Sequence, residues 1–135
     1  MSNIKIFFSE DSQYREMEVL ECQGHRSDVL VIVDDKIYHP IFCTPWRQKV
    51  DINNYFSSEI EEKYMIENNV IIMENLDRET VINTILKLSK TSYFSYCAPY
   101  NLKMLEDCVF DDEDEFILVY PERKVCSKKD ILNYL

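Results

Sequence analysis

Two histidines and five cysteines are the residues of this 135-residue chain best suited to acid–base or nucleophilic chemistry. His39 and Cys43 are four residues apart in a predicted strand, so both side chains lie on the same face. A Cys–His pair can provide a thiolate nucleophile. Along an extended strand the two side chains are about 13 Å apart, too far to share a proton unless a bulge at Pro40 brings them together. His25 lies in a polar turn, where a solvent-facing histidine is ordinary.

The cysteines do not form a recognisable metal or redox site. No two have the CxxC spacing of zinc and dithiol redox sites, and reduced thiols are ordinary in a cytoplasmic protein. The cysteines are Cys22, Cys43, Cys97, Cys108 and Cys126. The only glycine, Gly24, excludes the glycine-rich loops that bind nucleotide phosphates. We therefore expect no metal, no cofactor and no enzymatic activity. A Cys-dependent enzyme using Cys43 and His39 is an alternative.

Negative charge is concentrated immediately before one apolar segment. Five consecutive acids, Asp111 to Glu115, precede Phe116 to Tyr120, which has the composition of a buried strand. Such a run is often a solvated loop that adds solubility. Its position also suits a cation-rich partner, because crowded like charges repel one another until a basic surface docks. The predicted partner-binding residues are Glu106, Asp107, Asp111, Asp112, Glu113, Asp114 and Glu115. The aromatic residues that could anchor the partner are Tyr93, Phe94, Tyr96 and Tyr100.

The overall charge restricts the classes of partner. Twenty-five Asp and Glu against fifteen Lys and Arg give a formal charge of −10 and a pI near 4.6. A field of this sign repels nucleic acids and anionic lipid, and it attracts basic proteins. The chain shows no signal peptide and no apolar run long enough to span a membrane. We expect a cytoplasmic protein with a basic protein partner and with neither nucleic-acid nor membrane binding.

The alternation of apolar and polar segments predicts one α+β domain over residues 1–135. We expect four or five strands in a mixed, mostly antiparallel sheet with helices packed on one face. The strand-like segments are 3–8, 16–22, 29–33, 37–43, 70–73 and 116–120. The helix-like segments are part of 46–56 after Pro45, 59–66, 78–90, 102–108 and 128–135. The spacing of Ser127 and Asp130 predicts a capping box at the start of the last one. Pro40 inside 37–43 indicates an edge strand or a bulge.

The helix that follows Asp77 has the clearest pattern. Asp77 is a suitable N-cap, and Glu79 in the first turn complements the positive end of the helix dipole. At 100° per residue the apolar side chains occupy an arc of roughly 160°, which predicts a surface helix packed on a sheet. These side chains are Val81, Ile82, Ile85, Leu86 and Leu88.

In size, acidity, low glycine content and the strand–helix order of VIIMENLDRETVINTILKLSKTSYF (residues 70–94), the chain resembles bacterial immunity proteins of polymorphic toxin systems, including contact-dependent growth inhibition. The resemblance implies an inhibitor that binds a cognate toxin domain, often a basic nuclease, and occludes its active site. It rests on composition and element order, and it transfers no individual functional residue. An acidic interaction or adaptor domain without a toxin partner is the first alternative.

Overall fold

The computed structural model describes residues 3–9, 23–59, 64, 69–99 and 115–135. These residues form eight strands and four helices, which confirms the α+β class. The strands are β1 (Ile4–Ser9), β2 (His25–Arg26), β3 (Val29–Val33), β4 (Lys36–Tyr38), β5 (Ile41–Cys43), β6 (Val70–Ile72), β7 (Glu115–Tyr120) and β8 (Lys124–Ser127). The helices are α1 (Pro45–Phe56), α2 (Arg78–Ser89), α3 (Tyr93–Tyr96) and α4 (Lys128–Leu132).

The main sheet has five antiparallel strands in the order β4-β3-β1-β7-β8. Its centre is formed by β3, β1 and β7, and these segments are the most continuously apolar of the described chain. Such sequences suit a strand that is covered on both faces. The β3–β4 hairpin turns through Asp34, whose φ of 58° is left-handed and whose backbone N–H donates to Asn3 O.

The predicted strand over 37–43 is two strands in two different sheets. The hairpin partner ends at Tyr38, and the chain then passes through His39 and Pro40 into β5 of a second sheet. Proline cannot donate a ladder hydrogen bond, so a strand is readily interrupted at this point. The second sheet has the order β2-β5-β6, with β5 parallel to β6. The expectation of a single sheet and of one continuous strand over 37–43 was wrong, whereas the predicted edge position holds for β4, which is the outermost strand of the main sheet.

The five-stranded sheet is covered on both faces. Alternation along β1 directs Ile4, Ile6 and Phe8 into one core cluster with Val81 and Ile85 of α2. Phe7 points the other way into a second cluster, which includes Phe116 of β7 and Ile131 of α4. The prediction that helices pack on one face of the sheet was therefore wrong, since α2 covers one face and α4 covers the other. A capping box starts α4 directly after the edge strand β8.

The helix N-termini follow ordinary capping chemistry. Asp77 caps α2, and its carboxylate accepts from Thr80 N at 2.8 Å; this backbone hydrogen bond lowers the pKa of Asp77. Ser127 and Asp130 form a reciprocal capping box for α4, as predicted from their spacing. Thr44 caps α1 and accepts from Arg47 N at 3.2 Å. The caps of α2 and α4 are confirmed predictions. The helix after Pro45 was predicted over part of 46–56, and the structure extends it over the whole of Pro45–Phe56.

One buried cation joins the two sheets. Arg26 on β2 is 1% exposed, and its Nε donates to Asp28 Oδ1 at 2.9 Å. Its Nη1 donates to the carbonyl oxygen of Leu76 at 2.6 Å. Its guanidinium carbon lies 4.8 Å from the centre of the Phe8 ring in β1. Sequence reasoning placed Arg26 in a turn and missed this role.

Candidate functional site

Of the seven predicted partner-binding residues, the structure describes one. Glu115 is the exposed first residue of β7, and it is paired with Ser127 across the sheet edge. The other six, Glu106, Asp107 and residues 111–114, lie outside the described residues. The predicted strand 16–22 and the predicted helix 102–108 also lie outside them, as does most of the predicted helix 59–66. The acidic binding site therefore stays a prediction, and Glu115 is the one residue of it that the structure describes.

The described framework is nearly neutral. Its residues include twelve Lys and Arg against eleven Asp and Glu, a formal charge of +1. The remaining residues contain three Lys and Arg against fourteen Asp and Glu, a formal charge of −11. The two values sum to the −10 of the whole chain. The net negative charge of this protein therefore belongs to three stretches of the sequence, residues 10–22, 60–68 and 100–114.

The two most acidic stretches join the fold at neighbouring positions. Residues 10–22 contain five acids and one cation, and they follow Ser9 at the end of β1. Residues 100–114 contain six acids and one cation, and they lead directly into Glu115. Ser9 is paired with Phe116 across the two central strands. Both stretches therefore attach at the same end of the main sheet, where adjacent strands are about 4.8 Å apart.

The structure gives His39 and Cys43 separate partners. His39 is 7% exposed, and its Nε2 donates to Ser27 O at 2.6 Å. Burial lowers the pKa of His39, although the Ser27 carbonyl and the charge of Asp28 act in the opposite direction. The Cys43 thiol is 2% exposed and donates to Thr44 O at 3.3 Å. The strand register places His25, rather than His39, directly opposite Cys43. At Pro40 the chain passes from the main sheet to the second sheet, and it does not form the bulge that would bring His39 and Cys43 together.

A narrow cleft lies where the β4–β5 junction meets α3. Its interior holds about 10 Å³, room for about one water molecule. Tyr93 forms a side-chain hydrogen bond with Cys97 in this cleft, and burial together with that bond raises the pKa of Tyr93 to about 12. Burial also raises the pKa of Tyr38, assisted by nearby negative charges. The lining residues are Tyr38, His39, Pro40, Asn69, Tyr93, Phe94, Cys97 and Ala98. Both shifts favour the protonated form of the phenol.

The aromatic segment after α2 divides between core and surface. Phe94 is 4% exposed and packs 5.1 Å from the ring of Tyr38, so it belongs to the core. Tyr96 is 86% exposed and is available to a partner. Tyr93 is half-buried in the cleft, and Tyr100 lies outside the described residues. Sequence reasoning missed the pairing of Tyr93 with Cys97, although their i, i+4 spacing is the signal that two side chains share a helical face.

Within the described part of the chain, no group of three or more His, Cys, Asp or Glu is placed to hold a metal ion. None of the described helices is long and apolar enough to cross a membrane. Comparisons with models of known families, with curated proteins and with solved structures found no match for this chain.

Proposed function

We propose that this chain is a binding protein for a basic protein domain, and that it acts by occlusion without chemistry of its own. The observation that supports the proposal is the concentration of acids along the sequence: residues 10–22, 60–68 and 100–114 contain fourteen of the twenty-five Asp and Glu and three of the fifteen Lys and Arg. Solubility alone is served by acids scattered over the surface. Concentrating them in a few stretches produces a local field that attracts cations and speeds the encounter with a basic partner.

The resemblance to immunity proteins gives the proposal its specific form, in which the partner is a cognate toxin domain of the nuclease type. A nuclease must bind phosphate and therefore presents Lys and Arg at its active site. The carboxylates of Asp111 to Glu115, with Glu106 and Asp107, would occupy those cations in place of substrate. Such a complex forms in the cytoplasm, rapidly and with marked sensitivity to salt.

The test is calorimetric titration of the partner domain, identified by affinity purification from the native host, into wild-type protein and a charge-reversal variant. Reversal of Asp111 to Glu115 to lysine should weaken the complex at least tenfold, about 1.4 kcal/mol. An unchanged affinity would remove this run from the binding site. If affinity purification repeatedly yields no basic protein, the proposed function itself is wrong.

A further inference from the structure

The edge strand β6 lacks the features that usually protect the edge of a sheet. An open edge presents backbone groups that can pair with another strand, so proteins place charges there or keep the strand very short. Of the four strands at the edges of the two described sheets, β4 includes Lys36, β8 includes Lys124, and β2 has two residues. β6 consists of three apolar residues, and its Ile72 is 54% exposed. Among the edges in the described part of the chain, β6 is therefore the best suited to pair with a further strand.

The hydrogen bonds between β5 and β6 show which backbone groups of β6 face outward. The Ile41 N–H donates to the Asn69 carbonyl at 2.8 Å, and the Met73 N–H donates to the carbonyl of the last residue of β5 at 2.9 Å. The bonding direction alternates along a strand, so the odd-numbered residues of this segment face β5 and the even-numbered ones face away. Val70 and Ile72 are the even-numbered residues, and no described strand pairs with their outer side. The outer edge therefore offers two N–H donors and two carbonyl acceptors.

The side chains of this segment alternate in the same way. Ile71 and Met73 pack against the core cluster that includes α2. Val70 and Ile72 lie on the opposite face of the strand, where Val70 is half-buried and Ile72 is exposed. A strand added beside β6 would therefore extend the core face next to Ile71 and cover Ile72 on the other face.

A second copy of β6 fits this edge in an antiparallel register. With the two-fold axis at Ile71, Val70 of each copy lies opposite Ile72 of the other, and each such pair exchanges two hydrogen bonds. All four outward backbone groups of each strand are then paired. Ile71 meets Ile71 of the other copy as the non-hydrogen-bonded pair, with Cα atoms about 4.5 Å apart. Because β6 carries no charge, this register brings no like charges directly opposite one another within the strands.

We propose that this protein forms a two-fold symmetric dimer in which the β6 edges pair and the two three-stranded sheets become one six-stranded sheet. An uncharged strand has nothing that selects a basic or an acidic partner strand, whereas its self-complementary register selects a second copy. Pairing of the same edge in both copies is closed, so it leaves no further β6 edge from which the assembly can grow. This dimer does not depend on the proposed function, because it uses none of the predicted partner-binding residues.

The first test is sedimentation equilibrium of the full chain under reducing conditions. Wild type should dimerise reversibly, and Ile72→Lys should weaken dimerisation at least tenfold, about 1.4 kcal/mol, because it brings two ammonium groups into the strand pair. Val125→Lys is the matched control, since Val125 is 60% exposed on the edge strand β8, and it should change dimerisation less than about twofold. Both variants should unfold at nearly the temperature of wild type. A wild-type chain that stays monomeric up to about 1 mM, or equal effects of the two variants, would overturn the proposal.

The second test examines the register by oxidative crosslinking with copper–phenanthroline and oxygen. In Ile71→Cys the two new thiols lie directly opposite, within the Cα separation of about 4.4–6.8 Å that a disulfide requires. In Ile72→Cys they are diagonal neighbours about 7–8 Å apart and should crosslink several-fold less. Wild type, which has five cysteines of its own, gives the background. Crosslinking at position 71 that does not exceed both wild type and position 72 would contradict the register.

Amide hydrogen exchange distinguishes this dimer from other ways of covering the edge. The Val70 and Ile72 amides should exchange more slowly as the protein concentration rises, because pairing of the two copies protects both. In Ile72→Lys, kept monomeric at low concentration, the Val70 amide should exchange rapidly. Slow exchange of that amide in the monomer would show that another segment of the same chain covers the edge, and the proposed dimer would then be wrong.

Discussion

Removing the buried guanidinium of Arg26 should strongly destabilise the fold. In Arg26→Met the apolar stem is retained, but Asp28 loses its ion pair and the buried Leu76 carbonyl loses a donor at 2.6 Å. An orphaned buried acceptor costs about 1–3 kcal/mol, and loss of the cation–π contact with Phe8 adds about 1 kcal/mol. When the cost of leaving the Asp28 carboxylate unpaired is added to these two losses, we expect the free energy of unfolding to fall by about 3–5 kcal/mol.

Urea and thermal unfolding followed by far-UV circular dichroism measure this loss. For a domain of this size the expected decrease in Tm is roughly 10–20 °C. The exposed Arg123→Met is the matched control, since it removes a cation with the same stem length from the surface and should change stability by less than about 0.5 kcal/mol. A double-mutant cycle with Asp28→Asn should show a coupling of at least about 1 kcal/mol. A loss below about 1 kcal/mol for Arg26→Met, or strict additivity in the cycle, would refute this reasoning.

Two further predictions concern the turn before α1 and the β4–β5 junction. Gly24→Ala should lower the free energy of unfolding by about 2 kcal/mol or more, because the φ of Gly24 is 59° and a Cβ there would lie too close to Thr44 Oγ1. If urea denaturation shows no change in this free energy, the described turn is contradicted. Burial lowers the pKa of His39, so the unfolded chain binds a proton at this residue more readily than the folded protein does. The contribution of neutral His39 to the free energy of unfolding is therefore fully present above pH 6.5 and declines as the pH falls from there through the pKa of the folded state. His39→Gln should flatten that part of the stability–pH curve, and an identical curve for wild type and variant would show that His39 is not the titrating group.

Local sequence signals predicted the elements that owe their form to local chemistry. The run Val29 to Val33 is continuously apolar and forms the buried strand β3. The 3.6-residue period after Asp77 and the capping box at Ser127 both specify helices within a few residues of their own positions. In each case the stabilising partner is near in sequence, so the pattern alone was sufficient.

Elements that lack a local pattern or depend on distant partners were not predictable in this way. β8 was missed because only Cys126 of its four residues is buried, which leaves no two-residue period to recognise. The parallel pairing of Ile41–Cys43 with Val70–Ile72 joins residues 29 positions apart in the sequence, and no short-range pattern encodes it. The exposure of Trp46 was also hidden, since a lone tryptophan in a helix is more often core than surface.

The acidic run and the uneven distribution of charge are both visible in the sequence, and the structure adds the positions of the described acids. The structure also identifies four exposed framework carboxylates that match Asp111 to Asp114 in number and serve as controls: Glu59, Glu74, Glu79 and Glu122.

The most direct test of the account compares two amide variants that change the net charge equally. One variant converts Asp111, Asp112, Glu113 and Asp114 to their amides, and the other does the same to the four framework glutamates. Calorimetry with the purified partner at ionic strengths of about 0.05 and 0.5 M gives affinity and its salt dependence for each. We predict that the first variant binds at least tenfold more weakly than wild type and with a reduced salt dependence, while the second stays within twofold. Equal effects of the two variants would show that only total charge matters and would contradict the account.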